Sequence, residues 1–506
     1  MLWARIGGIF GLLMASPFDP LPANRFGVYE AAHLLWRAGF GGTWEDIQAL
    51  AARGLPGAVA ALTGFPLSTE FAPDFITLPQ PDEGKDGKPD EREKINQLRF
   101  WWLNRMVNTP NPLEEKMTLF WHGHFATSFE DKIEAAYPMW HQNQMFRRLA
   151  LGPFPSLLSA LIRDPAMLVF LDNAESVKDR PNENLARELM ELHSLGVGNF
   201  SESDVKAAAH SLTGFGVNRD KWTFRYDAEQ HDPGQKTYLG QTGPWSGDDV
   251  VRIICAQPAC GLFIGRKLLE YFVYGNPEPE ILNEAAALLR STNYDFRKFL
   301  ATVFSSQLFY SVKAQNSIVK SPVALTIGAL KSMRAQPPQG GLLSEALRNM
   351  GQDLFFPPEV NGWVGGAAWI NSNMLLVRYN FANYLLNGVN PEDFHVYNQK
   401  AAGPNATRRQ FVESQRTGAV KWTPRQQLRD LGIDQKMLTS GDVVDYYINT
   451  FLARPVSSEM RDQFLAFMET DAAGGHRSFS LDDSNFDERI HDLAHLMMSS
   501  PDYQLC

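Results

Sequence analysis

Apolar residues recur along this chain mostly at the three-to-four-residue spacing of a helix face, and one stretch alternates at the period of a strand. From Asn182 to Phe215 the sequence reads NENLARELMELHSLGVGNFSESDVKAAAHSLTGF, which predicts a helix, a glycine turn and a second helix. Leu185, Leu189, Leu192 and Gly196 mark the buried face of the first helix. At about 100° per residue, Glu188 falls inside that apolar arc, with Asn184 and Glu191 on the same edge. A carboxylate there must find a donor, a cation or a proton, because an unpaired buried charge is costly. Glu183 and Arg187, four apart in the favourable order, read instead as a surface helix pair.

The rest of the chain is read in the same way. Tyr29 to Gly41 predicts an amphipathic helix; Thr43 and Asp46 have capping-box spacing ahead of a second, which Gly54 ends. Lys94 to Asn108 predicts a helix with Leu98, Trp101, Trp102 and Met106 inward, and Pro112 opens the next. Pro155 to Asp172 reads as helix, Asp-Pro break, helix. Gly247 to Tyr274 reads as helix interrupted at Pro258, and Pro277-Glu278, Ser321-Pro322 and Thr439 to Asp442 open others. Lys221 to Leu239 alternates and predicts a β-hairpin turning at His231-Asp232-Pro233-Gly234. Leu354 to Ile370 carries prolines, glycines, Trp363 and Trp369, and predicts a non-helical loop that packs its tryptophans or holds them out for a ligand. Pro79 to Glu93 predicts an exposed loop. The helical corner at Pro155 to Asp172 recurs at Phe296 to Tyr310 and at Asp492 to Tyr503, so the C-terminus should be docked.

The expected fold class is mainly α: a multi-lobed helical protein with a small β-hairpin or sheet. The expected divisions are an N-terminal segment (1–28), a central helical lobe carrying the site (29–245), a second helical lobe with the Gly/Trp-rich loop (246–390), a surface excursion (391–427) and a C-terminal helical lobe (428–506).

A length of 506 residues exceeds one ordinary core. Hydrophobic content of 44% with 21% charged residues describes a globular chain. The net charge of −10, without a dense basic run, argues against nucleic acid as a partner. Three cysteines cannot build a disulfide framework, although Cys255 and Cys260 bracket a short turn and could bridge. No stretch is long enough to span a bilayer. The opening MLWARIGGIFGLLMAS has one Arg and an apolar run like a signal-peptide core, with Pro17 in a poor cleavage region. The expected location is periplasmic or secreted, or cytoplasmic if that segment is not a signal.

Two stretches carry candidate chemistry besides the central helix pair. In MTLFWHGHFATS (117–128), His122 and His124 lie two apart and point to nearly opposite sides of a continuing helix. They could share a metal only if Gly123 breaks it. Such a pair with a later Glu is a weak metal signal, so no cofactor is predicted; a divalent metal on His122, His124 and Glu188 is the alternative. Trp363 and Trp369, with Asn361 and Asn371, have the composition of a sugar-stacking platform. No phosphate loop, dinucleotide fingerprint, Gly-x-Ser-x-Gly elbow or four-cysteine zinc site is present.

HLLWRAGFGGTWEDIQAL, EKMTLFWHGHFATS, PNENLARELMELHSLGVGN, HSLTGF, GLFIGRKL, VKSP, FFPPEVNGW and MMSSPDYQL together resemble the bacterial family catalogued as domain of unknown function 1800. The resemblance runs from about Tyr29 to the C-terminus. It implies an exported or envelope-associated protein, often found beside a second family that resembles sulfatases and alkaline phosphatases. It carries no settled activity. The positions matching its most distinctive motifs are His122, His124, Asn182, Glu183, Asn184, Arg187, Glu188 and Glu191, whereas His193 stands where relatives would carry an aromatic or apolar residue.

Three functions follow as expectations. The first is an extracytoplasmic hydrolase or lyase acting on a glycan or related envelope polymer through paired carboxylates. Glu188 would be the acid, Glu191 or Glu183 the second carboxylate, and His122 or His124 a proton shuttle. Trp121, Asn184, Arg187, Asn361, Trp363 and Trp369 would bind substrate. Carboxylates about 5–9 Å apart suit acid/base work on a glycosidic bond. The second is a His/Glu metalloenzyme. The third is a non-catalytic glycan-binding or scaffold protein partnering another secreted enzyme, such as a sulfatase-like companion.

Overall fold

The computed structural model describes residues 16–68, 72–79, 90–338, 342–387, 420–471 and 474–506. The signal-like residues 1–15, most of the expected Pro79 to Glu93 loop and residues 391–419 of the expected surface excursion lie outside that set. The fold is mainly helical with two small two-stranded antiparallel sheets.

Helix starts follow local chemistry. Thr43, Ser201 and Thr439 each form a capping box with an Asp three residues on, opening Trp44–Ala51, Glu202–Ser211 and Ser440–Tyr447. Asp164 and Ser321 cap helices whose first residue is proline, Pro165–Phe170 and Pro322–Ser332. Gly54, expected to close a helix, instead opens Gly54–Thr63 at φ +65°.

The helix Pro112–His124 sits at the centre. Every residue from Leu113 to His122 is buried, and the helix packs on Ala136–Leu149 and Val28–Ala38. Two carboxylates go into the core with it. Glu115 accepts from Arg147 Nε (2.7 Å) and Nη2 (2.9 Å), from Trp102 Nε1 (2.8 Å) and from Arg105. Burial alone would push this carboxyl up, but Arg147 and Arg105 hold it below the usual range. Glu114 accepts from the Ser68 amide at 2.7 Å. Leu98, Trp102 and Met106 are buried as expected, while Trp101 is half-buried beneath the Arg147 guanidinium.

The single hairpin expected over Lys221 to Leu239 is two hairpins. Thr223–Tyr226 pairs backward with Phe215–Asn218, and Lys236–Tyr238 pairs forward with Gln241–Gly243. The second closes on Leu239 and Gly240, both at positive φ, the two-residue turn whose twist suits paired strands. His231 to Gly234 joins the hairpins rather than turning one. Its local turn is real, since the Gly234 amide donates to Asp232 Oδ1, but Asp232 is held by His210 Nδ1 (2.7 Å) and its own amide by Thr213 Oγ1.

Cys255 and Cys260 are free thiols. The chain end is docked: Cys506 exchanges main-chain hydrogen bonds with Ile318, and buried Arg37 donates to its carbonyl (2.7 Å). Among the described residues, no helix is long and apolar enough to cross a membrane.

Candidate functional site

A cleft of about 740 Å³ opens where the C-terminal half of Pro112–His124 meets four other segments. These are the turn after Asn184–Glu191, the helix Pro258–Phe272, the 317–324 stretch that leads into Pro322–Ser332, and the loop carrying Trp363 and Trp369. His124, Glu191, Asn361, Trp363 and Trp369 all line it. Val197 and Val364, 78% and 89% exposed, form an apolar rim.

His124 ends its helix with its ring parallel to Phe120 at 5.8 Å. Its Nε2 donates to the His193 carbonyl (3.0 Å), which leaves Nδ1 as the acceptor nitrogen. Burial, then the neighbouring His193 and Lys267, hold its pKa well below the ordinary imidazole value, so the ring is neutral.

Glu191 closes its helix half-buried at the cleft wall. Glu188, one turn back, is half-buried beside it and does not line the cleft. No arginine clamps it among the described residues; burial first, and then the charge of Glu191, raise its pKa. Its place inside the apolar arc therefore raises its pKa, against the opposing charge of Arg187, rather than making a buried ion pair.

His122 does other work. It is buried, its Nε2 accepts from the Phe355 amide (3.1 Å), and its ring meets Trp102, Phe355 and Trp363 at 4.9–5.6 Å. Burial lowers its pKa to about 3. Gly123 stays helical, so His122 and His124 diverge on an unbroken helix. That corrects the shared-metal arrangement. Among the described residues, no group of three or more His, Cys, Asp or Glu is placed to hold a metal ion.

Four other expected site residues also lie elsewhere. Trp121 is fully buried against Phe125 and Phe296, its Nε1 donating to the Ala150 carbonyl (3.1 Å). Glu183 and Arg187 form a surface ion pair, and Arg187 also grips Glu202 at 2.8 Å. Asn184 is exposed and donates to Asp172 (3.1 Å).

The tryptophan loop reaches the cleft because it is seated on the central helix. Gly362, at φ +78°, brings its backbone against Gly123, where a Cβ would overlap the Gly123 carbonyl oxygen. Next to it, Trp363 leans on His122.

Sequence reasoning missed Lys116, Lys267, Glu270 and Lys320, all of which line the cleft. A signal existed for Lys116: it stands three after Leu113 and four before Phe120, inside a buried register. Lys320 and Lys267 stand within VKSP and GLFIGRKL, stretches used above only to mark the resemblance.

The family model described as a protein of unknown function (DUF1800) matches residues 33–505. The chain belongs to this family. No curated protein matches it, and no solved structure does. Every cleft segment from Arg37 to Trp369 falls inside the span shared with the DUF1800 family, so the cleft is built from family sequence.

Proposed function

We propose that this chain is an extracytoplasmic hydrolase or lyase that cleaves a glycan or related envelope polymer by acid/base chemistry in the cleft. The observation that carries the reading is that Glu191 shares one cleft with two half-buried tryptophans and Asn361. Aromatic faces with a few placed amides suit sugar rings, which present apolar faces and polar edges.

The carboxylate pair differs from the one read off a single helix. Among the described residues, Glu191 and Glu270 are the carboxylate side chains lining the cleft, from different helices. In this reading one protonates the leaving oxygen, while the other takes a proton from water or from a sugar carbon. His124, neutral and fixed in one tautomer, offers Nδ1 as a further acceptor. Glu188 acts on Glu191 from behind as a positioning residue. The extracytoplasmic setting rests on the signal-like start of the sequence.

The test is turnover of purified full-length protein on a panel of envelope and extracellular polysaccharides, read as new reducing ends and as ultraviolet absorbance of unsaturated sugars. The expected result is activity on at least one polymer that falls about 100-fold or more in Glu191→Gln and in Glu270→Gln, with the melting temperature unchanged. Full activity in both variants would overturn the proposal; binding without cleavage would favour a glycan-binding role.

A further inference from the structure

Two lysines at the inner end of the cleft make no close ion pair among the described residues; the negative charge that acts on both is that of Cys506. Lys116 is 7% exposed and Lys320 2% exposed, and both line the cavity. Among the described residues, no carboxylate oxygen lies within 4.0 Å of either ammonium, and neither donates a hydrogen bond. Each is held by rings instead. Lys320 Nζ lies 3.7 Å from the Trp36 ring centre and 4.0 Å from that of Tyr503; Lys116 Nζ lies 4.9 Å from Phe40 and 5.7 Å from Tyr271. Aromatic faces stabilise a cation, but an ammonium has three N–H donors that want oxygen acceptors. Buried charge without such acceptors is costly, and an entering anion would supply them.

The neighbouring guanidinium does not compete for that anion. Arg37 is committed to the carbonyls of Phe272, Val273, Ala314 and Cys506 and to Ser317 Oγ. Among the described residues, four basic side chains line the cleft (Arg37, Lys116, Lys267 and Lys320) against Glu191, Glu270 and the negative charge at Cys506, in a chain whose net charge is −10. Burial pushes Lys116 down to about 8 and Lys320 to about 7, the negative charge at Cys506 partly opposing both. Both amines therefore stand close to neutral pH, where a bound anion would favour their charged forms.

We infer that the inner end of the cleft is an anion seat, in which Lys116 and Lys320 receive the carboxylate or sulfate group of an acidic sugar. The identity of the polymer as a glycan rests on the reading above. The anion seat itself rests on the two lysines.

Calorimetric titration of full-length protein tests it with three oligosaccharides of equal length: tetragalacturonate, a sulfated galactan tetrasaccharide without uronic acid, and neutral cellotetraose. The expected result is that one acidic probe binds at least about tenfold tighter than cellotetraose. That preference should vanish in Lys116→Met and Lys320→Met. The favoured probe identifies the group as carboxylate or sulfate. Equal affinity for the neutral sugar, or an unchanged preference in folded variants, would overturn the inference. Where a variant fails to fold, competition on the wild type decides. Sodium sulfate or acetate should displace the acidic probe more than sodium chloride at matched ionic strength, and displacement no greater than by chloride counts against the seat. The two proposals fail separately. Cleavage of only neutral polymers through Glu191 would leave the catalytic reading standing and remove the seat. Acidic sugar bound on the lysines without any turnover would do the reverse.

Discussion

Gly362 lies with its backbone directly against Gly123, so closely that a Cβ at position 362 would overlap the Gly123 carbonyl oxygen. The glycine between the two histidines thus does not break the helix; it gives the tryptophan loop a seat. Gly362→Ala meets a main-chain clash and a left-handed backbone together, and should cost about 1–3 kcal/mol while loosening Trp363. Gly366→Ala is the control, since φ there is +56° with open space around the added carbon. Thermal unfolding with tryptophan fluorescence should show a clear loss for the first and a small one for the second. Equal effects would mean that the contact with Gly123 does not hold the loop.

The buried carboxylate that matters most for stability is Glu115, not Glu188. Its four donors come from Arg147, Arg105 and Trp102. Removing its charge strands a fully buried guanidinium, so Glu115→Gln should cost about 3–5 kcal/mol. Glu183→Ala breaks only a surface pair with Arg187 and should cost under about 1 kcal/mol. Urea unfolding of both variants checks the ranking, which a reversed order would refute.

Burial also fixes an acid sensitivity. His122 is held down at about 3 and His193 at about 4, whereas an imidazole in the unfolded chain titrates near about 6.5. Between those limits the unfolded state binds the proton and the folded state does not. Their contribution to stability is therefore complete above about pH 6.5 and is lost as pH falls below it, at about 1.4 kcal/mol per pH unit for each ring. His122→Asn should make the slope of unfolding free energy against pH between 6 and 4.5 shallower by about one proton. An unchanged slope would show that His122 is already protonated in the folded protein.

What was legible in the sequence was mostly local. Thr43 with Asp46, Asp164 with Pro165 and Ser321 with Pro322 start helices through contacts within three or four residues, so they can be read directly. The apolar arc around Glu188 was equally readable, and so was the pairing of Glu183 with Arg187. The two hairpins were merged because one run of alternation does not say which neighbour each strand takes, and Phe215–Asn218 lay hidden at the end of a helical motif. The cleft was half legible. Trp363, Asn361, His124 and Glu191 were named from their own stretches, but their meeting with Glu270, Lys116 and Lys320 depends on how distant helices pack. Trp121 and His122, named as site candidates, lie in the packed interior, because an aromatic or histidine on a buried helix face looks the same in sequence whether it faces core or cavity.

The relation between Glu188 and Glu191 gives the sharpest test of the candidate site. Glu188 is raised first by burial and second by the charge of Glu191. Replacing Glu191 by Gln removes the second cause and leaves the first, so the Glu188 carboxyl should titrate lower in Glu191→Gln while staying above an ordinary glutamate. Carbon-detected NMR of the labelled carboxyl carbons measures this without any substrate. The same pair should separate kinetically once a substrate is known. Glu191 lines the cleft and Glu188 stands behind it, so Glu191→Gln should lose about 10²–10⁴-fold in turnover, the range for a proton-transfer group. Glu188→Gln should lose far less and chiefly shift the pH profile. A Glu188 that titrates identically with and without Glu191 would show the two carboxyls to be uncoupled. In that case the cleft pair of Glu191 and Glu270 would have to act without help from the helix behind it.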